Sequence, residues 1–176
     1  MKLKRTIVAL LTSLSIICVP ASVCAETATP NEESISMHII SVEKMSDAEI
    51  NAHNMLGNHE TTGLTEINPI TRGLSRPDTA WDLSTGDYSF SGSASNSDLY
   101  TNYYFTGYTK YQVQIKNYSN TTLTAKVKTF WSTKEELTVA PGYTVNAECS
   151  GFQIDDKAYI LFQAPSDFSG WIRKLG

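Results

Sequence analysis

Apolar and polar side chains alternate along much of the second half of the chain. In residues 111–116 and 123–128 every second side chain is apolar, and the pattern recurs in residues 143–149 after a Pro141-Gly142 turn. A period of two places the apolar side chains on one face of a strand, so we expect three half-buried strands. Because only a short polar stretch separates the first two, they are predicted to form a hairpin.

Further short apolar runs predict additional strands at residues 88–92, 99–106, 135–140, 158–163 and 170–174. Residues 159–162 are apolar without alternation, which indicates a central strand covered on both faces. About eight strands, with turn signals roughly every ten residues, are typical of small all-β domains. We therefore predict a small antiparallel β-sandwich over residues 81–176, with a small barrel as the alternative.

Large apolar side chains are confined to this predicted sandwich. All eighteen Phe, Tyr and Trp residues lie at or after Trp81. Aromatic rings supply the largest apolar surface for a small core, so this part is expected to fold around them. Residues 26–80 hold nine acidic and three basic residues. We expect them to form a mostly irregular acidic spacer or propeptide.

One short helix is predicted within that acidic segment, near residues 47–56. Ser46 is a favourable N-cap, and Glu49 stands three positions later, where it can complete a capping box. Gly57 provides the stop signal.

Residues 1–25 have the features of a signal peptide. A basic start precedes an apolar run over residues 7–19, and small residues lead to Ala25, after which we expect cleavage. The apolar run is shorter than the roughly 20 residues that a membrane-spanning helix needs. The mature chain is therefore expected to be secreted, with no membrane span.

Net charge limits the class of binding partner, and the cysteine count limits the disulfides that can form. Cleavage leaves eleven basic residues against eighteen acidic ones, a net charge of −7. Nucleic acid is an unsuitable partner, because binding its phosphates requires clustered positive charge. Cys149 is the one cysteine left after cleavage, so the fold has no intramolecular disulfide. Its place in an alternating strand predicts a buried, unreactive thiol.

The sequence contains no recognisable set of catalytic residues in the predicted sandwich. His38, His53 and His59 all precede the predicted sandwich, which excludes a Ser–His or Cys–His nucleophile within it. The carboxylates are scattered, and no spacing predicts a metal or cofactor site. We therefore expect a protein that is not an enzyme.

The most specific positive signal is a tyrosine stripe. If residues 99–108 form one extended strand, Tyr100, Asn102, Tyr104 and Tyr108 share a face, and Leu99 lies on the opposite, core-facing side with Phe105. Tyrosine rings with a nearby amide can stack on sugars or pack against a protein. These four residues are the predicted binding site.

Three hypotheses follow from the sequence. In the first, the sandwich is a non-catalytic module that binds an extracellular glycan or protein surface through the tyrosine stripe. In the second, it is a structural or self-associating extracellular component. In the third, residues from Glu26 to about Arg76 are a propeptide, and the sandwich is released as a secreted effector.

Overall fold

The computed structural model describes residues 34–56, 61–66, 76–130 and 132–175. Of these residues, 55% lie in strands and 7% in helix. The predicted signal peptide and the predicted helix stop at Gly57 lie outside the described residues.

The described residues form twelve strands and one helix. In chain order these are β1 (Ser36–Lys44), α1 (Asp47–Met55), β2 (Leu64–Glu66), β3 (Ala80–Trp81), β4 (Tyr88–Ala94), β5 (Leu99–Thr101), β6 (Tyr104–Phe105), β7 (Lys110–Asn117), β8 (Leu123–Lys128), β9 (Thr133–Val139), β10 (Tyr143–Ser150), β11 (Tyr159–Phe162) and β12 (Ser166–Lys174).

Two large antiparallel sheets dominate the fold. Sheet A has the strand order β1-β10-β7-β12-β4, and sheet B has the order β2-β5-β11-β8-β9. The short strands β3 and β6 pair in parallel as a third, two-stranded sheet. The expectation of an all-β fold is confirmed, and the two five-stranded sheets are consistent with a sandwich. The predicted central position of residues 159–162 is also confirmed, because β11 is the middle strand of sheet B.

Aromatic rings from both sheets meet in the core. Phe162 on β11 stacks on Phe168 on β12 with ring centroids 4.1 Å apart, and Phe90 on β4 lies 5.1 Å from Phe162. Phe162 and Phe168 are completely buried. Each fully buried aromatic side chain stabilises a fold by about 2–3 kcal/mol relative to exposure. These rings therefore join sheet A to sheet B.

The predicted hairpin over residues 111–128 is wrong. The two strands exist as β7 and β8, but β7 lies in sheet A between β10 and β12, whereas β8 lies in sheet B between β11 and β9. Alternation specifies which face of a strand is buried and not which strand it pairs with. Both apolar faces point into the same core, one from each sheet.

Asn117 stabilises the chain where it crosses between the sheets. This side chain is fully buried, and its amide donates hydrogen bonds of 2.8 Å to the carbonyls of both Thr121 and Val139. Its carbonyl oxygen accepts from the backbone N–H of Ser119 at 3.0 Å. The buried amide thus replaces the backbone pairing that a hairpin would have supplied.

The acidic segment contributes more regular structure than we expected. β1 pairs with β10 from Ser36↔Ser150 to Lys44↔Tyr143, with a register shift between Ile39 and Ser41. β2 pairs with β5 in sheet B. Most β1 side chains are exposed, so this strand lacks the apolar pattern by which the others were predicted. Sheet membership here depends on backbone pairing.

The predicted helix is confirmed as α1. Ser46 is its N-cap, and its hydroxyl accepts a hydrogen bond from the backbone N–H of Glu49 at 3.2 Å. The carboxylate of Glu49 accepts from the Lys116 ammonium at 2.5 Å. None of the helical residues is buried, so polar contacts connect α1 to sheet A.

Candidate functional site

The outward side of sheet A carries a group of amide, indole and guanidinium side chains. On β7, Tyr111, Val113 and Ile115 are buried, so the residues between them face outward. The same alternation turns residues of β10 and β12 to this side. We call this surface the amide face and define it by Gln112, Gln114, Asn146, Trp171 and Arg173.

Strand register aligns part of the amide face in a row across all five strands. Ser41 on β1 is paired with Asn146, which is paired with Gln114. Gln114 is paired with Trp171, and Trp171 with Ser89 on β4. Residues directly opposite each other on neighbouring strands are close enough for their side chains to interact.

Hydrogen bonds orient the amides in this row. The Gln114 side-chain Nε2 donates to Asn146 Oδ1 at 3.0 Å, and Asn146 Nδ2 donates to Ser41 Oγ at 2.9 Å. Both bonds run in the same direction along the row. Because a primary amide has two N–H donors and a carbonyl acceptor, each amide keeps further hydrogen-bonding capacity.

Trp171 lies beside this row and is stacked by Arg173. The guanidinium carbon lies 4.4 Å from the indole centroid, a cation–π geometry. Arg173 Nε and Nη2 donate to Gln112 Oε1 at 2.8 and 2.5 Å. Trp171 is half-buried, so part of its indole is available to a ligand.

Gly170 determines how closely β12 approaches the rest of sheet A. A Cβ atom at this position would clash with the backbone oxygen of Gln114 and lie 2.7 Å from the Phe90 ring. Real Cβ atoms essentially never come so close to a neighbour. The glycine therefore allows the packing that sets Trp171 beside Gln114.

Helix α1 borders the amide face at the Lys116 end of β7. Lys116 is bonded to Glu49, and this hydrogen bond is the main cause of the raised pKa of the lysine. His53 Nε2 lies 2.9 Å from Asp167 Oδ1, and the His53 ring stacks on Tyr118 with centroids 3.6 Å apart.

Surfaces of this composition suit polyhydroxylated ligands. Each sugar hydroxyl donates and accepts hydrogen bonds, as does a primary amide, so oriented amides can bind neighbouring hydroxyls. The apolar face of a sugar ring can pack on the exposed part of the indole. The amide face offers both kinds of contact on a regular sheet, which holds side chains more rigidly than a loop.

The predicted tyrosine stripe is not a continuous strand face. β5 ends at Thr101 and β6 begins at Tyr104. Asn102 follows the end of β5, and its backbone N–H donates to the carbonyl of Gly63 and to the hydroxyl of Tyr88, at 3.0 and 3.1 Å. The expected core positions of Leu99 and Phe105 are confirmed.

The first two stripe residues lie in different surroundings. Tyr100 is 8% exposed and meets Tyr159 edge-on at 6.4 Å. Asn102 is exposed, and its Oδ1 accepts from Thr65 Oγ1 at 2.5 Å.

The other two stripe residues each contact a lysine. Tyr104 meets Phe130 edge-on at 5.7 Å, and its ring lies 5.2 Å from Lys157 Nζ. Tyr108 follows Gly107, whose φ of +87° bends the chain, and its ring lies 5.3 Å from Lys174 Nζ. The four residues do not lie along one strand, and their binding role stays a prediction.

Sequence reasoning missed the amide face, although part of the signal was present. Gln112, Gln114 and Asn146 stand at the polar positions of the alternating strands. The alternation does not predict the order of the strands in the sheet. β10, β7 and β12 become neighbours only in the folded protein. Trp171 and Arg173 therefore could not be connected to the glutamines.

Cys149 is buried on β10, opposite Met37 on β1. Burial raises the pKa of its thiol to about 12. A thiol that stays protonated at neutral pH is a poor nucleophile, in line with the unreactive cysteine expected from the sequence.

Two features are absent from the part of the chain that the structure describes. No group of three or more His, Cys, Asp or Glu side chains there is arranged to hold a metal ion. No helix in it has the length and apolar character that crossing a membrane requires.

Comparison with known proteins gives no match: no family model fits the chain, and no curated protein or solved structure is similar to it.

Proposed function

We propose that this protein is a secreted, non-catalytic β-sandwich module that binds an extracellular glycan through the amide face. The signal-peptide features of residues 1–25 support export. The observation that carries the proposal is the row in which strand register sets Trp171 beside Gln114 and Asn146.

The composition of this face favours a glycan over a protein partner. The centre of a protein–protein interface is commonly a cluster of apolar and aromatic side chains. On the amide face one half-buried indole stands among amides and a guanidinium. Such a surface can exchange its hydrogen bonds with water for bonds to sugar hydroxyls, and the indole supplies one stacking position.

Retention of residues 26–80 in the active protein is part of this proposal. β1 provides Ser41, the last acceptor in the amide row, and covers the edge of β10. β2 extends sheet B. Release of a domain beginning near Trp81 would remove both strands. An intact mass of the native secreted form that begins at Glu26 would support retention, whereas a mass beginning after Arg76 would contradict it.

The test compares binding by two aromatic variants on a glycan array and on insoluble cell-wall polysaccharides. Trp171→Ala is expected to weaken retention by about tenfold or more, the effect of losing a central aromatic contact. Tyr108→Ala, which removes a partly buried ring elsewhere, should leave retention unchanged.

Amide variants give a second, independent readout. Gln114→Ala should also weaken binding, whereas Gln153→Ala removes an exposed glutamine outside the amide face and serves as its control. Thermal unfolding of each variant separates lost binding from lost folding. Undiminished retention of both folded amide-face variants would refute the proposal, and loss with Tyr108→Ala would favour the tyrosine stripe.

A second candidate function, self-association through β1, is favoured by a separate observation. Ile39, Ile40 and Val42 are 47%, 50% and 54% exposed on a terminal strand of sheet A. Exposed apolar edge strands can pair with another chain. Sedimentation at increasing concentration should then show dimers that Ile40→Lys abolishes. A concentration-independent monomer would exclude this candidate.

A further inference from the structure

A cluster of aromatic rings and cations lies beside the outward side of sheet B. Ile160 and Phe162 on β11 are buried in the core side of that sheet, so Tyr159 faces outward. We call this group the cation–aromatic cluster and define it by Arg76, Tyr104, Phe130, Lys157 and Tyr159.

Its rings form an apolar corner. Tyr104 and Phe130 meet at an interplanar angle of 85° with centroids 5.7 Å apart. Phe130 also packs edge-on against Tyr159 at 6.5 Å. Tyr159 is buried, and burial raises its pKa, whereas Tyr104 and Phe130 are only partly buried. The last two rings therefore provide the accessible apolar surface.

Two cations converge on the Phe130 ring. The Arg76 guanidinium carbon lies 4.5 Å from its centroid, and Arg76 Nη1 donates to the Phe130 carbonyl at 3.3 Å. Lys157 Nζ lies 5.4 Å from the same centroid and 5.2 Å from that of Tyr104. Like charges held near one ring repel each other, so an anion between or beside them would be stabilised.

Lys157 has a feature that points to a ligand. Within the described ranges, the ion pairs join His53 to Asp167 and three other lysines to glutamates, and Lys157 belongs to none of them. Other described lysines also lack an ion pair, and what distinguishes Lys157 is its position beside two aromatic rings, those of Tyr104 and Phe130. The ammonium group is exposed and contacts only aromatic rings among these residues.

A cleft of about 430 Å³ adjoins the cluster and restricts the ligand further. Phe130, Lys134 and Lys157 line it, together with Asp155 and Asp156. The two aspartates would repel a densely charged anion such as a polyphosphate. They can instead accept hydrogen bonds from hydroxyl groups. The lining thus matches a ligand with one negative charge, several hydroxyls and an apolar face.

We propose that this cleft binds a carboxylate-bearing sugar unit of an acidic polysaccharide. Lys157 and Lys134, which line the cleft, face the carboxylate, Phe130 packs against the sugar ring, and Asp155 accepts hydrogen bonds from its hydroxyls. The site is separate from the amide face, so it goes beyond the proposed function and does not depend on it.

Calorimetric titration with polygalacturonate and with alginate tests the proposal, and fully methyl-esterified polygalacturonate is the neutral control. The acidic polymers should bind, and the esterified one should bind at least about tenfold more weakly, because charge-assisted hydrogen bonds to the carboxylates are lost. Binding of the acidic polymers should also weaken as salt is added.

Variants connect the binding to the cluster. Lys157→Gln and Phe130→Leu should each weaken polygalacturonate binding by about fivefold or more. Lys174→Gln is the matched control, because Lys174 also lies over a tyrosine ring, at 5.3 Å from Tyr108. The same titrations in a Trp171→Ala background remove glycan binding at the amide face, so that the loss caused there by Lys157→Gln is assigned to this cleft.

Several outcomes would overturn the proposal. They are equal binding of the esterified and acidic polymers, no binding of either acidic polymer, and undiminished binding by folded Lys157→Gln. Equal or tighter binding of poly-glutamate would assign the cleft to acidic peptides instead.

Discussion

The amino-terminal and carboxy-terminal parts of the described chain enter the same sheets in different ways. β1 forms eight residue pairs with β10, yet Ile39 and Val42 on it remain about half exposed. β12 pairs on both sides within sheet A and buries Phe168 and Ile172 almost completely. The first region is stabilised mainly by backbone pairing, whereas the second combines backbone pairing on both sides with buried side chains.

A few apolar side chains anchor the amino-terminal region: Met45 and Leu64 are buried, and Ile35 and Met37 pack against the core. Met45 is 5% exposed, and its backbone N–H donates to the carbonyl of Gly142 at 2.9 Å. It stands between β1 and α1, so it fixes the point where the strand ends and the helix begins. Hydrophobic pattern alone therefore underestimates a region that combines a few scattered buried side chains with a long backbone ladder.

The largest expected difference between the two regions is the loss of stability when an apolar side chain is truncated to alanine. Phe168→Ala is expected to lower the free energy of unfolding by about 3–5 kcal/mol, because it removes a fully buried ring and leaves a cavity. Ile39→Ala on half-exposed β1 should cost less than about 1 kcal/mol. Urea denaturation of both variants measures the difference. Similar losses would show that β1 is packed more tightly than its exposure indicates.

Loss of the buried amide at the crossing should have the next largest effect. Asn117→Ala removes the donors to Thr121 and Val139; the buried Val139 carbonyl loses its side-chain donor, whereas Ser119 Oγ still donates to Thr121. We expect a loss of about 2–3 kcal/mol, as each unsatisfied buried group costs about 1–3 kcal/mol. Asn120→Ala, at an exposed asparagine of the same turn, is the control and should be close to neutral. Equal stability of the two variants would remove Asn117 from this role.

The smallest predicted effect is the loss of stability between pH 9 and 10, at the start of the alkaline range. Burial raises the pKa of Cys149 from 9.0 to about 12, and burial likewise raises the pKa values of Tyr88 and Tyr111 from 10.0 to about 12. Above pH 9 the unfolded chain loses protons that the folded chain retains. The free energy of unfolding should therefore be constant below pH 9 and decrease between pH 9 and 12.

Cys149 contributes most among these three groups between pH 9 and 10, because its unfolded pKa of 9.0 is lower than that of tyrosine; its contribution changes by at most about 1.4 kcal/mol per pH unit. Urea denaturation across this interval should show a shallower decrease for Cys149→Ala than for the unaltered protein. Because Cys149 is paired with Met37, an unchanged slope would indicate that β1 opens and exposes the thiol.

Strand faces and the helix could be predicted from the sequence, and strand pairing could not. Ser46 and Glu49 act within one turn of chain, so their capping contact was visible locally. The alternation of β7 correctly placed Val113 in the core. Its neighbours in sheet A lie far away along the chain, and nothing local distinguishes them from β8.

The candidate binding sites also depend on strand pairing, which the sequence alone does not reveal. A continuous tyrosine stripe required residues 99–108 to remain one strand, but β5 ends at Thr101 and β6 begins at Tyr104. The amide face required Gln114 to meet Trp171, which depends on β7 and β12 being neighbours. Local sequence determined the orientation of each side chain, and tertiary pairing determined which of them met.

The interior place of β12 has a consequence for how the protein acquires its structure. β12 is the last described strand, and it fills the position between β7 and β4. A growing polypeptide that has reached only β11 has a gap in the middle of one sheet, and its partly formed hydrophobic layer cannot close. Such a nascent chain cannot complete its core before β12 has been synthesised.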